Sequence, residues 1–200
     1  FDPVPVLTYN ARSPEGSEFG YDWRGTYNRL VREDMDSPGD MEVVTGEGSR
    51  LRYTSPDVDN QWTPTSGVPN ALKQNGDGTW TETQPDGFKC QFDTIGRLAR
   101  LENGVGNRWT LTRDAGDRVE RITDPVDGLT SFSYDGSNMI RRIQDASGRI
   151  TSCTVDGNSD LTQRTGPDLC VTEFRYDANH RMTAWIDPDG GRTSFTFDSS

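Results

Sequence analysis

Lysine is nearly missing from this chain: Lys73 and Lys89 are the only two among 21 basic residues. Histidine occurs once, at His180, so any imidazole-based triad would have to be built on that residue. The three cysteines, Cys90, Cys153 and Cys170, are too few for a disulfide scaffold and lack metal-ligand spacing. No Asn-x-Ser/Thr sequon is present, so N-glycosylation is not signalled. Nor is there a long apolar run, which excludes a membrane-spanning helix. No basic segment followed by an apolar stretch opens the chain. It begins at Phe1, as a processed mature protein or an excerpt of a longer one would.

Hydrophobic residues make up only 30% of the 200 residues, and adding the 21 glycines reaches about 40%, below the roughly 45–50% of ordinary globular chains. With 10% aromatics this does not describe a disordered chain. It describes a thin layer in which a few large side chains cover one face of a sheet and the other face stays wet. The 32 acidic residues leave a net charge of −11, and no basic cluster offers a footprint for nucleic acid phosphates. Pairing with carboxylates falls almost wholly to arginine, whose planar fork suits bidentate contacts on a sheet surface.

An internal period organises the second half. Asp recurs at 93, 114, 135, 156, 177 and 198, at a constant interval of 21 residues. With each Asp as position 0, the preceding residue is Phe92, Arg113, Tyr134, Val155, Tyr176 or Phe197. Position 5 holds Leu98, Val119, Ile140, Leu161 and Met182, and position 8 holds Leu101, Ile122, Ile143, Arg164 and Trp185. Position 16 is Trp109 and then Thr130, Thr151, Thr172 and Thr193. Position 18 is Leu111, Phe132, Cys153, Phe174 and Phe195. Thr130-Ser131-Phe132-Ser133-Tyr134 alternates with period two and presents one apolar strand face. Arg97 to Glu102 forms a shorter partner strand. Asp124-Pro125-Val126-Asp127-Gly128 and Asp187-Pro188-Asp189-Gly190-Gly191 are turns: Pro fixes φ, Gly takes positive φ, and Asp bonds its own downstream backbone. The repeat-defining Asp marks the other turn. The fold class is therefore all-β, with antiparallel hairpin repeats over 92–198 that predict a meander of about ten strands.

Tyr176-Asp177-Ala178-Asn179-His180-Arg181-Met182, and Phe92-Asp93-Thr94-Ile95-Gly96-Arg97-Leu98, resemble the YD repeat of Rhs and teneurin-type proteins. The resemblance covers 92–198 and implies hairpins paired edge to edge in a twisted, spiralling strip, which in that family can close as a hollow shell. Residues 1–91 are a less regular β region. Glu42 to Tyr53 reads as two strands about a Gly-rich turn, and Thr79 to Phe92 as a hairpin. Thr54 to Asn75 reads as a long Pro-containing connection carrying Trp62. Leu7 to Pro14 and Phe19 through Leu30 resemble the segment that begins the shell in Rhs-type proteins.

Weighed as a catalytic residue, His180 sits at position 3 of a repeat, where a turn substituent is expected, and no Gly-x-Ser-x-Gly elbow accompanies it. Paired carboxylates suffice for glycoside hydrolysis, but these aspartates make the period rather than break it. Asp124-Pro125 and Asp187-Pro188 are similar to the Asp-Pro motif near the self-cleavage site of Rhs cores, yet both occupy ordinary turns. No EF-hand loop is present. The expectation is a protein without catalytic site, cofactor or metal site. Cys90 and Cys153 occupy the apolar position 18, as buried thiols do. A Cys153–Cys170 disulfide is the pairing to test if the chain is extracellular.

A single hairpin cannot stand alone, so stability must come from neighbours, and the outer strands leave edges that template further strands. The terminal pairs Phe1-Asp2 and Phe197-Asp198 share the repeat's pattern. These features point to an extracellular or cell-surface structural protein that forms a homo-oligomer, filament, sheath or larger shell through its edges. A shell segment enclosing a toxin or other polypeptide cargo is one alternative. A carbohydrate-binding or adhesion module, using Trp62, Trp80 or Trp109 on a cell-surface glycan, is another.

Overall fold

One turn geometry sets the architecture. A computed structural model describes residues 4–11 and 16–198, all strand, turn or bend without a helix. Phe1-Asp2, Arg12 to Pro14 and the terminal Ser199-Ser200 lie outside the described residues. In each turn the first residue donates its N–H to the carbonyl four residues on, and the fourth residue donates back to the first. At Asp93 these bonds are Asp93 N–H to Arg97 O (2.9 Å) and Gly96 N–H to Asp93 O (3.0 Å). The same pair of bonds recurs at Asn75, Gln84, Asn103, Asp114, Asp124, Asp135, Asp145, Asp156, Gly166, Asp177 and Asp187. Both turns of the 21-residue unit are thus the same motif, and the structural period is one hairpin arm of ten or eleven residues.

Aspartate opens these turns for a reason that the geometry makes explicit. Its Oδ1 accepts the N–H groups two and four residues on, as at Asp93 (Ile95, 3.1 Å; Arg97, 2.8 Å) and Asp187 (Asp189, 3.0 Å; Gly191, 2.6 Å). The fourth turn residue adopts the left-handed conformation, taken by glycine at Gly96 (φ +84°) and by Asp117, Asn138 and His180 elsewhere. Leu169 (φ +64°) is the exception in kind: a leucine in that conformation, 80% exposed and gaining little from packing. Leu169→Gly is expected to raise stability by roughly 0.5–1 kcal/mol in urea unfolding, the relief of backbone strain less glycine's extra entropy.

The chain packs into two units, residues 1–5 with 26–129, and residues 6–25 with 130–200. Strands β1 (Leu7–Tyr9) and β2 (Trp23–Gly25) pair with each other in the second unit. The first unit carries β3 (Leu30–Glu33), β4 (Met41–Val44), β5 (Arg50–Pro56), β6 (Gln61–Pro64), β7 (Ala71–Gln74), β8 (Trp80–Thr83), β9 (Lys89–Phe92), β10 (Leu98–Glu102), β11 (Arg108–Arg113) and β12 (Val119–Thr123). Each pairs antiparallel with the next. The run also curls back on itself, because Val31 N–H in β3 donates to Gly96 O in the β9–β10 turn at 2.8 Å. The second unit continues the pattern with β13 (Leu129–Tyr134), β14 (Ile140–Gln144), β15 (Ile150–Val155), β16 (Leu161–Thr165), β17 (Val171–Tyr176), β18 (Met182–Ile186) and β19 (Arg192–Ser194). The ten strands β10–β19 match the expected meander. The residues between Thr54 and Asn75 are not one connection: β6 and β7 lie there, joined to their neighbours by turns at Asp57 and Thr65. Their few apolar residues, chiefly Trp62 and Leu72, hid them from a period-two reading.

A bulge explains why positions 5 and 8, three residues apart, both face inward. The register slips between Leu98 and Arg100, and equivalent slips follow in the hairpins of β11–β12, β13–β14, β15–β16 and β17–β18. One extra residue at position 6 resets the strand's phase. Leu98, Leu101, Trp109 and Leu111 are buried in the first unit, as are Ile140, Ile143, Thr151 and Cys153 in the second.

Candidate functional site

Three groups of polar side chains stand out. The first is the set of turn aspartates. Asp93, Asp114 and Asp177 each hold the arginine four residues on through Oδ2 (Arg97, 2.9 Å; Arg118, 2.6 Å; Arg181, 2.8 Å), and Asp145 holds Arg149 at 2.6 Å. Asp135 and Asp156 make the same backbone bonds, to Ser137 and Met139 and to Asn158 and Asp160, without an arginine at that place. Asp198 is exposed. Hydrogen bonds from the Arg118 side chain and N–H hold the Asp114 carboxyl below its usual value. A lowered folded value stabilises above the unfolded one near 3.8, and that contribution is lost as pH falls through the folded value. In each of these turns Oδ1 bonds the turn's own backbone, and at Asp93, Asp114, Asp145 and Asp177 Oδ2 also holds an arginine.

The second group lies inside the first unit. Arg29 grips Glu82 on β8 with two bonds, Nε to Oε2 at 2.6 Å and Nη2 to Oε1 at 2.5 Å. Asn70 Nδ2 donates to the same Oε1 at 2.6 Å, and the Glu82 side chain is fully buried. The Tyr53 hydroxyl and the Cys90 thiol lie in the field of this pair, and burial pushes both upward, Cys90 to about 12. On β4, buried Glu42 takes Arg32 Nε at 2.6 Å, with Arg50 at 3.9 Å. Glu82 is matched by the Arg29 guanidinium and Glu42 Oε1 by Arg32, while Glu42 Oε2 is buried without a hydrogen bond; these ion pairs tie strands together. Sequence reasoning passed over both, because a carboxylate in a strand reads as a surface residue, although alternation places Glu82 on the same buried face as Trp80.

The third group joins the β1–β2 segment to the strip in the second unit. His180 does occupy its turn position, but its ring does more than fill it. Nδ1 lies 3.0 Å from Asp160 Oδ1, and the ring stacks on Tyr21 with centroids 4.0 Å apart. The Tyr9 hydroxyl donates to His180 O (3.3 Å) and accepts from Met182 N–H (2.8 Å). Trp23 Nε1–H donates to the Tyr176 hydroxyl, which donates to Leu161 O, both at 2.7 Å. Gly20 (φ +112°) lets the chain lie flat here, for a Cβ would stand 2.7 Å from Ser159 O. Burial raises Asp22 and Asp160, with His180 opposing the shift in both. The histidine has a carboxylate to orient it, yet the nearby hydroxyls of Tyr9 and Tyr176 are committed to backbone or indole partners. This is a clasp: its two tyrosine hydroxyls tie the β1–β2 segment to β16 and β18.

The remaining repeat residues behave as packing. Phe132 and Phe174 are buried and Tyr134 is half-buried opposite Ile140, whereas Phe195 is 40% exposed. Cys90, Cys153 and Cys170 are free thiols, the first two buried and the third exposed. The proposed Cys153–Cys170 bridge does not form. Cys153 pairs across to Arg164, and Arg164 to Thr172, so Cys153 and Thr172 stand two strands apart, about 9–10 Å. Cys170 lies further along, out of disulfide reach. Among the described residues no cluster of three or more His, Cys, Asp or Glu side chains is arranged to hold a metal. No protein-family model matches the chain, and no curated protein is significantly similar to it.

Proposed function

We propose that the chain is a non-catalytic structural module that extends a β-hairpin strip by joining another hairpin at its β19 edge. One observation carries this reading. Position 8 is buried in three successive units (Leu101 5%, Ile122 0%, Ile143 2%), but its last occupant, Trp185, is 48% exposed. Phe195 is likewise open, where Phe174 in the same slot is 6% exposed. All three residues of β19 are exposed, and among the described residues of its unit the strand it pairs with is β18. Large apolar groups at slots that a following hairpin covers elsewhere are an edge shaped for one more hairpin of the same register. The YD-type repeat pattern and the net charge of −11 agree with a filament, sheath or shell at the cell surface or outside the cell. No helix among the described residues is long and apolar enough to cross a membrane.

Light scattering across a concentration series tests this. The native chain is expected to grow in mass with concentration, and Trp185→Lys with Phe195→Lys to stay small with an unchanged circular dichroism spectrum. Native protein that remains monomeric at millimolar concentration would overturn the reading.

A further inference from the structure

Departures from the period converge at one place in the second unit. The β16–β17 turn, Gly166-Pro167-Asp168-Leu169-Cys170, opens on glycine, where every other turn from Asp93 to Asp187 opens on Asp or Asn. It also holds the strained Leu169 and the one exposed thiol. Beside it on β16, Arg164 replaces the aliphatic residue of position 8. Among the described residues its guanidinium has no hydrogen bond or ion pair; its charged neighbour is Asp168, held low first by hydrogen bonds from Cys170 and last by Arg164. Between these groups lies a cavity of about 420 Å³ lined by Arg149, Arg164, Asp168, Cys170 and Thr172, with Gly166 and Pro167 at its wall. Arg149 is fixed there by Asp145, Nε to Oδ2 at 2.6 Å.

We propose that this cavity binds a sugar acid of the uronate class through its carboxylate, with Arg164 as the anchor. A free guanidinium beside an open cavity is a ready partner for a planar oxyanion, which its fork meets with two parallel bonds. The local charge selects among oxyanions. Arg149 and Arg164 face Asp145 and Asp168, with Asp189 adding its field at Cys170. That balance admits a single negative charge and disfavours a phosphate dianion. Beyond the arginines the lining includes the Thr172 hydroxyl and the Asp168 carboxylate, groups that bond hydroxyls, which a sugar supplies along its length and a fatty acid chain does not. The binding site stands apart from the strip edge, so either proposal can fail without the other.

Cys170 provides the readout, because Cys90 and Cys153 are buried and silent in the folded protein. Iodoacetate and iodoacetamide alkylate it by the same displacement: an S–C bond forms, iodide leaves, and the thiol proton goes to solvent. Only iodoacetate carries a carboxylate. In a chain of net charge −11, with Asp168 beside the sulfur, simple repulsion would slow iodoacetate. The site reverses that order. The iodoacetate-to-iodoacetamide rate ratio at Cys170 is expected to fall about tenfold in Arg164→Leu, a change that restores the aliphatic slot and keeps the fold. Arg164→Gln gives a second reading should the leucine variant misfold. Glucuronate at millimolar concentration is expected to slow labelling by both reagents in the native protein and not in either variant. An unchanged rate ratio, absence of glucuronate protection, or equal protection by inorganic phosphate would each overturn the assignment.

Discussion

Gly96→Ala is expected to cost about 3–5 kcal/mol, near the upper range of single substitutions and well above Gly78 in the same turn motif. Two causes add. The backbone there is left-handed, at φ +84°, which any side chain resists by roughly 1–2 kcal/mol. In addition, a Cβ would stand 1.9 Å from the Val31 carbonyl oxygen and 2.9 Å from its carbon, and both belong to backbone that cannot swing aside. The bond from Val31 N–H to Gly96 O would be lost with the contact, and with it the return of β3 to the β9–β10 turn. Gly78→Ala separates the causes. Gly78 has the same φ of +84° in the same turn motif, but its Cβ would only touch Thr94 Cγ2 at 3.5 Å. Urea unfolding of the two variants should differ by at least about 2 kcal/mol. Equal losses would mean that the close approach is not part of the folded state.

Glu82→Gln is expected to destabilise by a similar amount, about 3–5 kcal/mol, for an electrostatic reason. Arg29 is held by two bonds to that carboxylate and its side chain is only 13% exposed, so the substitution leaves a guanidinium in the interior without its counter-charge. The double variant Arg29→Met with Glu82→Met should recover most of the loss, since a well-packed apolar pair often equals a buried ion pair. A double variant as unstable as Glu82→Gln alone would assign the effect to packing instead of charge.

The parts of this fold that follow from local chemistry were legible in the sequence. The 21-residue spacing of Asp93 to Asp198 marks turns because Asp Oδ1 bonds its own downstream N–H groups, a contact within five residues. The buried slots at positions 16 and 18 follow from strand alternation; those at 5 and 8 showed as recurring apolar residues, and the bulge at position 6 is what turns both inward. What escaped depends on partners distant in the chain. Glu82 looks exposed until Arg29 and Asn70 are brought to it, 53 and 12 residues away. His180 is a turn residue by position, and only the return of Tyr21 and Asp160 gives its ring a role. The strands β6 and β7 were hidden because Gln61-Trp62-Thr63-Pro64 and Ala71-Leu72-Lys73-Gln74 offer one large apolar side chain each. Arg164 was visible as a break in position 8, but the cavity that gives it meaning is not. The disulfide proposal failed on register: residues in neighbouring hairpins are close in the repeat and two strands apart in space.

The edge at β19 is where structure and proposed role meet, and amide hydrogen exchange reads it directly. Among the described residues of their unit the N–H groups of Arg192 to Ser194 that point away from β18 have no partner, whereas β14 is paired on both sides. If another hairpin docks there, exchange at β19 should slow as protein concentration rises from micromolar to millimolar, with β14 unchanged throughout. Exchange at β19 that is fast and independent of concentration would contradict the account.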